Sequence, residues 1–169
     1  MSAAMAAALL GPVAAAAVVL ASPPGVVARG IVDCDQVAQM SGTAAPGPIY
    51  QVALGRVAMP PRFLPQVERE PRPLRYWRKA GIYVRPGKSA VDISVPVAWR
   101  KRAAIEWGQG DSASGPASAL HVTGCPAYGR AWLPYGGGFH ITGPACVPLT
   151  IASGGRRQTL RFGVGRRCD

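Results

Sequence analysis

Two histidines and eight acidic residues are the groups in this 169-residue chain best suited to hold a metal or move a proton. His121 lies between Leu120 and Val122, and His140 follows Phe139, so both sit in alternating apolar stretches that read as strands. Apolar neighbours pointing inward leave both imidazoles facing outward, where they can meet across a sheet and share an ion. A zinc or copper site needs further ligands, and if the cysteines are paired only carboxylates remain. No metal and no cofactor is expected. Asp92 and Glu106 fall on the polar side of their strands and Asp111 in a loop, which does not make the facing carboxylate pair of a glycosidase.

A serine in a glycine-rich loop is the other chemical candidate. Gly110-Asp111-Ser112-Ala113-Ser114-Gly115-Pro116 resembles the GDSGGP surrounding the nucleophile of chymotrypsin-like proteases. Ala113-Ser114 replaces the two glycines, and both histidines follow the serine, whereas those proteases place His and Asp before it. The chain is also too short for two barrels. Ser112 is read as part of a polar loop, and no catalytic residue is assigned.

Binding chemistry has a better seat between Cys125 and Cys146. This excursion carries Tyr128, Arg130, Trp132, Tyr135, the run Gly136-Gly137-Gly138, Phe139 and His140. An exposed platform of Trp132, Tyr135 and Tyr128, with Arg130 and His140 beside it, is suited to stacking on sugar faces or peptide anchors. The competing reading has Trp132 and Phe139 filling the end of the fold. The four cysteines, Cys34, Cys125, Cys146 and Cys168, allow three pairings. Cys125–Cys146 and Cys34–Cys168 are favoured, because the first closes a short excursion between neighbouring strands and the second ties the ends together. No C-x-x-C is present, so neither a redox motif nor a zinc knuckle is suggested.

These groups must be positioned by strands. Gly (21) and Pro (17) are both abundant, which argues against long helices and for short strands joined by tight turns. From residue 80 onward the pattern is sharp. GIYV, then Val91, Ile93 and Val95 around a Pro-Gly turn, AAIEW, Leu120 with Val122, Val147 to Ile151, and Leu160 to Val164 all alternate. The expectation is an all-β fold, an antiparallel β-sandwich of Ig-like or jelly-roll-like type with about seven to eight short strands. Trp107, Ile93, Val95, Leu120, Val122, Leu149, Ile151, Leu160 and Phe162 are the expected core. Residues 29–79 read as an extended Pro-rich arm packing on that core, because Pro60-Pro61, Pro65, Pro71 and Pro73 forbid helix and disfavour sheet interiors.

The first residues, MSAAMAAALLGPVAAAAVVLA, are uncharged and apolar. Residues 1–28 are read as a signal peptide in a leader helix, cleaved after Ala21 or Ala28, with an uncleaved anchor through residues 3–21 as the alternative. Export accounts for an even number of cysteines. The net charge of +11 arises from 19 basic against 8 acidic residues and suits an anionic partner. The basic residues are scattered, so nucleic acid is not the expected partner; an anionic glycan or envelope polymer, or another envelope protein, is.

The set VDISVPVAWRKRAAIEWG, the GGF segment ahead of CVPLTI, and the closing RFGVGRRC resembles uncharacterised exported proteins of high-GC actinobacteria, over roughly Gly81 to Cys168. The resemblance implies export and paired cysteines and carries no activity or ligand. The sequence therefore points to an exported, non-enzymatic binding or structural domain (80–169) at the cell envelope or outside the cell. A small secreted hydrolase, and a protein–protein module such as an inhibitor or envelope-complex subunit, are the alternatives.

Overall fold

A computed structural model of the chain describes residues 22–39, 45–108 and 115–169. The leader helix, cleavage after Ala21, and Ser112 with its loop lie outside the described residues. No helix among the described residues is long and apolar enough to cross a membrane.

The described residues are mostly β, as the alternation implies, with 45% strand and 4% helix. In order the strands are β1 (Gly30–Val32), β2 (Gln51–Ala53), β3 (Val57–Met59), β4 (Phe63–Leu64), β5 (Glu68–Arg69), β6 (Tyr76–Lys79) and β7 (Ile82–Val84). They continue with β8 (Val91–Ser94), β9 (Ala103–Trp107), β10 (Ala119–Val122), β11 (Leu133–Tyr135), β12 (Gly137–Ile141), β13 (Ala145–Ser153) and β14 (Arg156–Val164). Three sheets result, ordered β1-β10-β8-β13-β14-β4, β11-β7-β3-β2 and β5-β6-β12-β9.

The segment expected to be a draped arm is a correction. Residues 29–79 supply β1 to β6, and Val57, Ala58 and Met59 are fully buried. The prolines mark strand boundaries here. Pro60-Pro61 follows β3, Pro65 follows β4, and Pro71 and Pro73 lie in the β5–β6 connection, leaving strands of two to four residues between them. That is why there are more strands than the seven or eight expected, and three sheets in place of a sandwich's two.

The long β13–β14 hairpin turns through Gly154 (φ 56°) and Gly155 (φ 74°), both in the left-handed region that a two-residue type I′ turn requires. That turn fixes Ser153 opposite Arg156 and sets the register through to Ala145 opposite Val164. Val147, Leu149, Ile151, Phe162 and Val164 thereby share the buried face with Ile93, Leu120 and Val122. Of the expected core only Leu160 is half-buried. An aromatic chain links two sheets, with ring centroids 5.7 Å apart for Trp107–Phe139 and 5.5 Å for Phe139–Phe162. The glycines of β12 are explained by close strand approach. A Cβ on Gly137 would collide with the Glu106 carbonyl, and one on Gly138 with that of Arg78.

The disulfide pairing differs from the expectation. Cys34 joins Cys125 (Cα–Cα 5.5 Å) and Cys146 joins Cys168 (5.1 Å). The cause is topological. β1 runs parallel beside β10 with Val32 opposite Val122, so the residues just beyond each strand, Cys34 and Cys125, arrive together. Cys146 lies opposite Gly163 on β14, and the chain doubles back after β14 to bring Cys168 to it. Two disulfides fit an extracytoplasmic location.

Candidate functional site

The aromatic excursion does not form an open platform. Tyr135 is 1% exposed, on β11 against the core, with its hydroxyl 3.6 Å from Cys125 Sγ. Burial pushes its phenol up to about 12. Trp132 is 8% exposed, with the Arg85 guanidinium 4.5 Å from its ring centroid. Tyr128, at 61%, stays exposed and holds φ 46°. It lines, with Arg130, Cys34, Asp35 and Leu133, a cleft of about 340 Å³. The expected group therefore splits, with two rings inside and Tyr128 and Arg130 at a cleft edge. The alternation signal could not show this, because β11 is buried along its whole length.

His140 lies on the face of β12 away from Phe139, as the alternation implies, but that face is covered and the residue is 2% exposed. β12 is central in its sheet, between β6 and β9, and the second face is not wet. Leu74 of the β5–β6 connection is buried, and the segment before β1 bonds back to the fold through Val27 N–H to Pro116 O at 3.0 Å. Pro24, Val26, Pro73, Leu74, Pro116 and His140 enclose a cavity of about 220 Å³. Trp77 of β6 lies 4.4 Å from the imidazole, centroid to centroid.

Glu106 Oε2 on β9 accepts a hydrogen bond from His140 Nε2 at 2.7 Å. That bond holds the Glu106 carboxyl below its ordinary range, outweighing the opposing effect of burial. An ionised Glu106 places a proton on Nε2. The other ring nitrogen, Nδ1, faces Glu70 Oε2 at 3.8 Å, too far for a hydrogen bond, and neither of these two buried atoms has another hydrogen-bond partner. A carboxylate–imidazole pair orients a general base when the second nitrogen meets a hydroxyl or thiol. Here that nitrogen meets a second carboxylate and is buried. The arrangement cross-links β9, β12 and the residue after β5. His121 sits in a different sheet, on β10, bonded to Asp92 at 2.9 Å, with Arg29 2.7 Å from the same oxygen. The two histidines thus each take their own carboxylate. Among the described residues no group of three or more His, Cys, Asp or Glu side chains is placed to hold a metal.

The charge that faces solvent collects along β14. Arg157, Thr159 and Arg161 lie opposite Ala152, Thr150 and Pro148, on the face away from the core. Beside them opens a groove of about 500 Å³, lined by Arg62, Phe63, Thr159, Arg161, Arg167 and Gln51 among others. Arg62 Nε donates to Gln51 Oε1 at 2.9 Å, and the Arg167 guanidinium sits 4.5 Å from the Phe63 centroid. The acid lining the groove is Asp169, 3.6 Å from Arg166. The Cys146–Cys168 bridge pins the closing segment at this groove. Sequence reading took the basic residues as scattered and missed the site, although Arg156, Arg157, Arg161, Arg166 and Arg167 fall close together; only Arg62 joins them from about a hundred residues away.

Comparisons of the chain with protein-family models, curated proteins and solved structures find no match. The functional reading rests on geometry.

Proposed function

We propose that the chain is an extracytoplasmic, disulfide-cross-linked binding module without a catalytic role, and that it engages a polyanionic partner through the arginine groove on β14. The observation that carries this is the convergence of Arg62, Arg161 and Arg167 on one open groove lined by one acidic residue, Asp169, among the described residues. Guanidinium groups suit carboxylate, sulfate and phosphate because they present paired donors in one plane. A hydrolase reading is not favoured, since both nitrogens of His140 are aimed at carboxylates.

Export, expected from the uncharged apolar first residues and supported by the paired cysteines, belongs to the same proposal. Removal of the leader after Ala21 is preferred to removal after Ala28. Val27 exchanges backbone hydrogen bonds with Pro116 and Ser118, and cutting after Ala28 would discard that bridge. The Phe139–Phe162 contact supports reading the β12 and β14 sheets as two leaves of an elaborated sandwich.

The test is elution from a heparin column. Replacing Arg62, Arg161 and Arg167 by Ala is expected to lower the eluting salt well below that of a charge-matched control lacking the exposed Lys79, Lys88 and Lys101. Equal shifts in the two variants would mean that net charge alone binds and the groove does not.

A further inference from the structure

Among the described residues, the β14 edge beside the groove has backbone groups without a hydrogen-bond partner. In a two-residue hairpin the residues flanking the loop exchange both hydrogen bonds, so Ser153–Arg156 is a bonded pair and bonding alternates from there. Gln158, Leu160 and Phe162 then bond β13, while Arg157, Thr159, Arg161 and Gly163 turn their N–H and C=O groups the other way. Two facts agree with this phase. Pro148, which has no N–H, stands opposite Arg161 at a non-bonded position, and Gly163 N–H donates outward to Arg62 O at 2.7 Å.

On that outward edge β4 pairs only with Gly163 and Val164. Pro60-Pro61, just before it, cannot continue a ladder, and the chain there belongs to the β3 side of the molecule. At the other end the β2–β3 turn meets the hairpin through side chains, with Leu54 N–H donating to Gln158 Oε1 at 3.1 Å and Arg156 to Leu54 O at 2.8 Å. Between these limits the backbone of Arg157, Thr159 and Arg161 has no partner among the described residues. The interval spans about 13 Å, the length of a four- or five-residue strand.

We infer that this free edge of β14 accepts an extended acidic peptide segment of another protein as an added strand. The inference rests on reading the groove as the anion-binding surface and names what fills it. Backbone pairing supplies affinity in strand addition, and flanking side chains supply selection. Here the flanking side chains are Arg62, Arg157, Arg161 and Arg167. Their like charge also repels a second copy of the same edge, so the edge is guarded against self-pairing while open to carboxylates.

The probe is a fluorescein-labelled, end-blocked octapeptide of alternating Val and Glu, titrated into the full chain and followed by anisotropy. Heparin retention is measured in parallel. Thr159→Pro removes one edge N–H without touching a β13 bond. It is expected to weaken peptide binding by about tenfold or more. The same peptide with every backbone nitrogen methylated, which blocks both of its edges, should bind the unaltered protein equally poorly, a comparison that holds even if T159P does not fold. Undiminished binding of the methylated peptide overturns strand addition but leaves the anion-binding groove standing. Heparin binding without peptide binding points to a glycan and also overturns it. If Arg62, Arg161 and Arg167 can be replaced without affecting either probe, the groove reading itself fails.

Discussion

The Glu70–His140–Glu106 stack and the arginine groove on β14 are both clusters of charge, and they are built under opposite constraints. In the first, the imidazole is 3% exposed and each of its nitrogens is directed at a carboxylate on a neighbouring segment. In the second, guanidinium groups from two distant stretches, around residue 62 and from 161 to 167, surround open space beside a strand edge with spare hydrogen-bonding groups among the described residues. The contrast teaches that titratable groups in proximity do not by themselves make a site. What matters is whether a valence is left over and where it points. The stack's leftover hydrogen-bonding valences, His140 Nδ1 and Glu70 Oε2, face each other inside the protein, with Arg72 Nε 3.8 Å from the same Glu70 oxygen. The groove's face solvent.

Perturbations should therefore separate the two regions. The largest expected effect comes from the disulfide remote from the groove. Replacing Cys34 and Cys125 by Ser opens a 91-residue separation and should cost about 4–5 kcal/mol by chain entropy, measured by urea unfolding, with groove affinity unchanged. His140→Ala comes next, at about 3 kcal/mol, because it leaves a cavity and strips Glu106 of its buried partner. Heparin elution should not move. The Cys146–Cys168 bridge reverses the pattern. Its 22-residue separation implies a loss of about 3 kcal/mol, but releasing Cys168 also frees Arg167 from Phe63, so affinity should fall as well.

Acidification gives a smaller, signed test. Glu106 has a carboxyl pKa lowered in the folded state, so its contribution is fully present above the unfolded glutamate value near pH 4.3 and is lost as pH falls through the depressed folded value. Stability measured by thermal melting should drop in that acid range, and Glu106→Gln should flatten the drop. The smallest stability effect belongs to the groove. Replacing Arg62, Arg161 and Arg167 by Ala should change unfolding free energy by no more than about 1 kcal/mol, since these are exposed groups making a surface hydrogen bond (Arg62 to Gln51) and a surface cation–π contact (Arg167 on Phe63). A large destabilisation there would make the groove structural and erase the comparison.

Much of the strand content was legible because the stretches 91–95, 120–122, 147–151 and 160–164 alternate cleanly, and Gly154-Gly155 announces its turn. The core positions Ile93, Leu120, Leu149 and Phe162 followed from the same period. His140 and Tyr135 were misplaced because alternation assumes one wet face, and β11 and β12 have apolar cover on both. The disulfide partners were illegible because β1 pairs parallel with β10 across about 90 residues, and no local spacing encodes such a pairing. Residues 51–79 looked like a linker because strands of two to four residues are too short to display a period. The β14 edge could be found only once the hairpin register and the end of β4 were both known.

Affinity for one anionic probe, fluorescein-labelled heparin at about 0.15 M salt, measured on two variants, tests the central claim most directly. The account predicts that replacing Arg62, Arg161 and Arg167 weakens binding by about tenfold or more, while His140→Phe binds as the unaltered protein does. Retained binding in the arginine variant, or lost binding in a folded His140→Phe protein, would contradict it.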